Sequence, residues 1–226
     1  MTQRYLWIAV LLTFIVTVQS PSVLAETPSQ MHLIEAQEWK KAERAWNKDA
    51  RKLAGGDQKP DEREIVGQML VERAAIAAGR DKARHADWYL WTAGLFGDIP
   101  SLDQLKETYG EVGEKLLSMV RPPAEPLPDP DWDAGEFVRS MIKEEKGSRT
   151  KLYHSACTGE KGFVTFRAQT DERGYFRAPS AHPNQPLTAR PLCVLAVLES
   201  YRDRQTEGGE GRQFTINHRL EVQKRR

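Results

Sequence analysis

Five of the chain's 13 prolines fall between Arg121 and Trp132, in the run Arg-Pro-Pro-Ala-Glu-Pro-Leu-Pro-Asp-Pro-Asp-Trp. Proline fixes φ and has no N–H to give to a helix or ladder, so such a density favours extended polyproline II backbone. The run therefore reads as a linker, 121–132, between two segments of different periodicity. Before it, apolar residues recur every three or four positions, as in helices. After it, they alternate by two, as in strands.

The first segment, 26–120, reads as a series of helices. Leu33, Ile34, Trp39, Ala42, Ala45, Trp46, Ala50 and Leu53 lie on one stripe, predicting a single amphipathic helix from Met31 that Gly55-Gly56-Asp57 stops. Pro60-Asp61-Glu62 opens a second, with acidic residues at its positive end, and Gly79 closes it. A third, from about Lys82 to Leu95, carries Trp88, Tyr89 and Trp91. A fourth is capped by Ser101 or Asp103 and ends at Tyr109-Gly110, before a last stretch with Val112, Leu116, Leu117 and Val120. Small Ala and Gly positions among large aromatics suit close antiparallel helix pairs, with the aromatics as core. The stretch Ala86-Asp-Trp-Tyr-Leu-Trp-Thr-Ala-Gly-Leu-Phe96 resembles a degenerate tetratricopeptide helix, and a plain helical bundle is the alternative.

The second segment, 133–226, predicts an α+β unit. A short helix with Phe137, Val138, Met141 and Ile142 leads to a strand at Gly162 to Ala168 and a hairpin at Thr170 to Gly174. Tyr175 to Ala178 resumes the ladder, Pro179 to Pro186 reads as a loop, and Pro191 opens a helix bearing Leu192, Val194, Leu195, Val197, Leu198 and Tyr201. Gly208-Gly-Glu-Gly211 is a turn. In the last strand, Gln213 to Val222, the residues Phe214, Ile216, His218, Leu220 and Val222 alternate toward the helix, leaving Thr215, Asn217, Arg219 and Glu221 outward.

The run from Tyr5 to Val18 is apolar but for Thr13 and Thr17, too short to span a bilayer comfortably, and Val23-Leu-Ala25 offers small residues to a signal peptidase. The expectation is a signal peptide over 1–25 and a periplasmic mature chain, with an uncleaved inner-membrane anchor as the alternative. Cys157 and Cys193 are the only cysteines, and an even count in an exported chain predicts a disulfide. His154 and Cys157 have no second close ligand pair to complete a zinc site. The formal charge is +1 with both signs scattered, so no nucleic-acid surface is expected.

The order strand, hairpin, strand, helix, Gly turn and final strand is similar to the C-terminal domain of TonB-type energy transducers. The resemblance is carried by Tyr153 and Ala156, by Gly162, Val164 and Phe166 in the first strand, and by Asp171 and Gly174 in the hairpin. It continues through Ser180, Leu187, Tyr201-Arg202 and Gly211 to Phe214, Ile216 and Leu220. It implies a three-stranded antiparallel sheet packed on helices, and binding of a partner by strand pairing. Three features depart from the family: the apolar segment Tyr5 to Val18 holds no His, the proline linker is short, and Tyr153-His154 stands where the family has an aromatic-proline pair.

No nucleophile elbow, His-Glu-x-x-His or phosphate loop is present, and the five histidines are dispersed, so neither an enzyme nor a cofactor is expected. His85 reads as a surface residue and His218 as a half-buried strand residue. The leading expectation is a non-enzymatic adaptor that binds an envelope protein, such as an outer-membrane transporter, along a strand edge bearing Thr215, Asn217, Arg219 and Glu221. Homodimerisation through the same edge is a variant of it. The alternatives are a membrane-anchored accessory transducer and a helical-repeat scaffold.

Overall fold

The computed structural model describes residues 30–56, 61–123, 148–206 and 211–221. The fold is mixed α+β, with helices packed on a three-stranded antiparallel sheet. The elements are α1 (Met31–Glu35), α2 (Trp39–Ala54), α3 (Glu62–Gly79), α4 (Ala83–Ala93), α5 (Leu102–Tyr109), α6 (Glu111–Met119), α7 (Ser148–Ala156), β1 (Lys161–Thr170), β2 (Phe176–Ala181), α8 (Pro191–Tyr201) and β3 (Gln213–Glu221). Among the described residues no helix is long and apolar enough to cross a membrane. The expected signal segment, the linker from Ala124 onward, the helix around Phe137 to Ile142 and the turn at Gly208 to Glu210 lie outside the described residues.

Three expectations need correction. The helix expected from Met31 to Leu53 is two helices, because Gln37 takes a positive φ of 54° and turns the chain between α1 and α2. No Gly or Pro marks that break. A helix, α7, stands where only an approach to the first strand was expected, and buries Leu152 and Ala156. The strand β2 runs on to Ala181, into residues read as loop, with a bulge opposite Arg167 to Gln169 and Ala178 at φ 46°.

Close helix packing is achieved with glycine. A Cβ on Gly79 would sit 2.7 Å from the Trp39 ring, and one on Gly113 would sit 2.1 Å from the Leu105 carbonyl oxygen, so α5 and α6 touch backbone to backbone. Ser101 caps α5 through a complete capping box with Gln104. Trp46, Trp88 and Tyr89 are buried, as core aromatics should be.

The centre of the molecule is α8. Every residue from Leu192 to Tyr201 is buried, whereas a helix lying on one face of a sheet keeps one side wet. The sheet covers one side, with Tyr201 edge-on to Phe166 at 5.4 Å and near Phe176 at 6.1 Å. The helices α2, α3 and α7 cover the rest. One contiguous apolar core thus runs through both segments that the sequence separates.

The sheet order is β2-β1-β3. Pairing of β1 with β3 is continuous from Lys161↔Glu221 to Gln169↔Gln213. The Thr170 N–H donates to the Arg212 carbonyl at 2.9 Å. In an antiparallel ladder bonded and non-bonded pairs alternate, so Phe214, Ile216, His218 and Leu220 exchange bonds with β1. The backbone groups of Thr215, Asn217, Arg219 and Glu221 point away from β1, to the outer edge.

Candidate functional site

The outer side of β3 combines two properties. Its inward residues Phe214, Ile216, His218 and Leu220 are buried, which anchors the strand. On the opposite face Thr215 and Asn217 are half-buried and Arg219 is exposed. The Thr165 hydroxyl donates to Asn217 Oδ1 at 2.8 Å across the two strands. Thr215, Asn217 and Arg219 thus have their side chains on the outward face and their N–H groups turned to the sheet margin, an arrangement set by the same period of two.

The margin at β2 is built differently. Phe176 N–H is bonded to the Arg204 carbonyl at 3.1 Å and Thr206 N–H to the Gly174 carbonyl at 2.8 Å, so residues 204–206 lie along it. Tyr175 forms a bridge with Gln205. Further on, Pro179 has no N–H to offer and Ala178 is bulged. Bulge, proline and covering segment are the devices that protect a sheet edge from pairing.

His218, at 4% exposure, sits between two tyrosines. Its Nε2 is 3.0 Å from Tyr153 Oη and its Nδ1 is 3.1 Å from Tyr201 Oη. Both ring nitrogens are thus engaged by tyrosine hydroxyls, which can either donate or accept. This strand histidine is therefore a bonded part of the core.

Two arginine clasps tie the halves together, each across a separation that sequence spacing does not reveal. Arg177 of β2 donates to Asp87 of α4 through Nε at 2.9 Å and to the Arg121 carbonyl at 2.7 Å. Asp87 also accepts from Trp91 Nε1 and from the Arg121 N–H. At the other end, Arg190, just before α8, pairs with the buried Glu62 at 2.6 Å. It also donates to the carbonyls of Leu53, Ala54 and Gly56, where α2 ends. The Cys157 to Cys193 disulfide, with Cα atoms 4.7 Å apart, joins the end of α7 to α8.

Between α2, α3, α4 and α8 lies a buried charged layer. Arg73 lies over both Trp46 and Tyr89, 5.3 Å from each ring centroid, and donates to Glu43 at 2.5 Å. Arg202 also lies over Tyr89, 5.3 Å from the ring centroid. Burial opposes the charge on Arg202, but Glu199, Tyr89 and Asp203 outweigh that and hold its pKa above the ordinary value. His85, expected at the surface, is half-buried at the edge of this layer. Its Nε2 meets Asp203 at 2.8 Å and its Nδ1 meets Arg202 Nη1 at 3.0 Å, while Asp87 is engaged elsewhere.

Arg202 has only donors, so Nδ1 must accept and Nε2 must carry the hydrogen: His85 is held neutral. Burial lowers its pKa first; the Asp203 bond works the other way, and Arg202 adds to the lowering. The unfolded chain, with a value near 6.5, then binds the proton more tightly than the folded one. Stability is expected to fall as pH drops below about 6.5 and to flatten once the folded form is also protonated. Urea midpoints measured against pH should lose part of this acid sensitivity in His85→Gln.

Among the described residues, two clefts on the surface stand out. One, about 330 Å³, is mainly apolar, between α1, α3 and α5, with Met31, Met69, Leu105 and Tyr109 among its walls. Burial and the nearby Glu72 charge raise the Tyr109 pKa. The other, also about 330 Å³, is polar, with Arg84, Asp87, Arg121, Asp171, Arg173 and Arg177 around it. Among the described residues no group of three or more His, Cys, Asp or Glu is placed to hold a metal ion. No protein-family model matches this chain, and no curated protein or solved structure matches it significantly.

Proposed function

We propose that the chain is a non-enzymatic protein-interaction module of the periplasm, with a TonB C-terminal-like second half preceded by a tetratricopeptide-like helical region. It acts as an adaptor by pairing an extended segment of an envelope partner with the outer edge of β3. The observation that carries this reading is the contrast between the two margins of the sheet. The β2 margin is bulged, interrupted by Pro179 and lined by residues 204–206. The β3 margin is a straight strand whose register with β1 runs unbroken over nine pairs. Backbone pairing supplies affinity in this mode, and outward side chains such as Thr215, Asn217 and Arg219 set register.

The test is Asn217→Pro. The N–H removed points away from β1, so the ladder to β1 stays whole, while the Thr165 bond, about 1 kcal/mol, is lost. Asn217→Ala loses that same bond and keeps the N–H. A photoreactive residue at position 215 would be used to crosslink partners in an envelope extract, with the crosslinked peptides mapped by mass spectrometry. The parent and Asn217→Ala should label one extended segment of one partner, and Asn217→Pro should label it at least about tenfold less. Equal labelling by a folded Asn217→Pro would sink the proposal.

A further inference from the structure

Although both charge signs are scattered along the sequence, the fold separates them on α2. Its buried side is Ala42, Trp46, Ala50 and Ala54. Its exposed side carries Lys40, Lys41, Arg44, Lys48, Arg51 and Lys52. Neither acid within the helix balances them: Glu43 turns inward to Arg73 and Arg80, and Asp49 accepts from Gln30 Nε2 at 2.8 Å. Lys41 reaches Glu38 at 2.7 Å. For Lys40, Arg44, Lys48, Arg51 and Lys52 no carboxylate among the described residues lies within ion-pair distance. Lys40, Arg44, Lys48 and Lys52 stand four apart and so form one row about 18 Å long. Like charges at that spacing weaken a helix, so the row opposes α2 formation.

We infer that this face of α2 is a docking surface for an anionic lipid bilayer. The row is convex and straight, so it fits an extended charged plane better than a small anion that needs a cleft. No aromatic residue is exposed among the cations to stack on a base, as a single-stranded nucleic acid requires. The face also lacks the buried apolar or aromatic anchor on which a specific protein interface depends. Lysines, which act as point charges on flexible stems, make up most of it, and that suits diffuse attraction to lipid phosphates. The apolar segment Tyr5 to Val18 lies shortly upstream of α2 in the sequence. The surface is independent of the β3 edge.

The experiment is co-sedimentation of the full chain with vesicles of phosphatidylcholine, with and without about 30 mol% phosphatidylglycerol. The parent should bind the anionic vesicles far better, and added salt should release it. Each cation near such a surface strengthens binding by about fivefold, so the variant Lys40→Gln, Arg44→Gln, Lys48→Gln, Lys52→Gln should bind at least about 100-fold less. A companion variant, Lys40→Arg, Lys48→Arg, Lys52→Arg, preserves charge and should bind like the parent, which separates loss of charge from loss of fold. Any contribution from the apolar segment is common to all three chains. Equal binding to neutral and anionic vesicles, or a folded glutamine variant that binds like the parent, would overturn the inference. So would binding to polyglutamate or an oligonucleotide through the same lysines without binding to anionic vesicles.

Discussion

Arg190→Ala is expected to lower folding stability by about 3–5 kcal/mol, the cost of leaving one member of a buried ion pair uncompensated. Glu62 is 2% exposed and receives both a paired and a bidentate contact from this guanidinium. The same group satisfies three carbonyls at the end of α2, where a cation also complements the helix dipole. Arg190→Lys keeps the charge but not the fork, so it should recover only part of the loss. The double change Glu62→Gln with Arg190→Met should be milder than Arg190→Ala, because no lone charge stays buried. Urea midpoints at constant slope would measure all three. If Arg190→Ala costs under about 1 kcal/mol, the clasp contributes no more than an exposed pair.

Removing the disulfide as Cys157→Ala with Cys193→Ala should cost about 4 kcal/mol, from the entropy returned to an unfolded chain whose 36-residue loop is no longer closed. Both cysteines are fully buried. A reductant should therefore act at a rate set by opening of the structure, not by its own concentration. A shift in midpoint on adding reductant equal to that of the double variant would confirm the assignment, and no shift in either would refute it.

What the sequence made legible is what depends on short range. The boundaries of α3, α4 and α8, the Ser101 cap, the hairpin closed by Gly174 at φ 77° and the alternation in β3 all follow from adjacent residues. The break at Gln37 is hidden because α1 ends in a left-handed cap, with Glu38 N–H donating to the Leu33 carbonyl and Gln37 N–H to that of Ile34, at a residue that is neither Gly nor Asn. Helix α7 is hidden because, among its residues with described burial, the apolar ones that reach the core are Leu152, Tyr153 and Ala156, too few to show a period. The clasps were beyond reach for a different cause: Arg177 and Asp87 are 90 residues apart, Arg190 and Glu62 128. Each looks like an ordinary surface charge until the chain is folded. His85 was misjudged in the same way, since its partners Arg202 and Asp203 lie at the far end of α8.

From Leu192 to Leu198 every residue of α8 is both buried and apolar, and an unbroken apolar run is the property by which a protein-conducting channel decides whether a passing segment is released sideways into lipid. For a chain threaded unfolded across a membrane, a core helix of this kind invites arrest. At 11 residues, α8 would reach only about half-way through a bilayer's hydrocarbon, and Arg190 and Arg202 stand at its two ends. Those arginines, described above for the ion pairs they form after folding, would also set the length that the channel reads beforehand. If the chain is exported as proposed, extending α8 by apolar residues would jeopardise its delivery before it affected the packing.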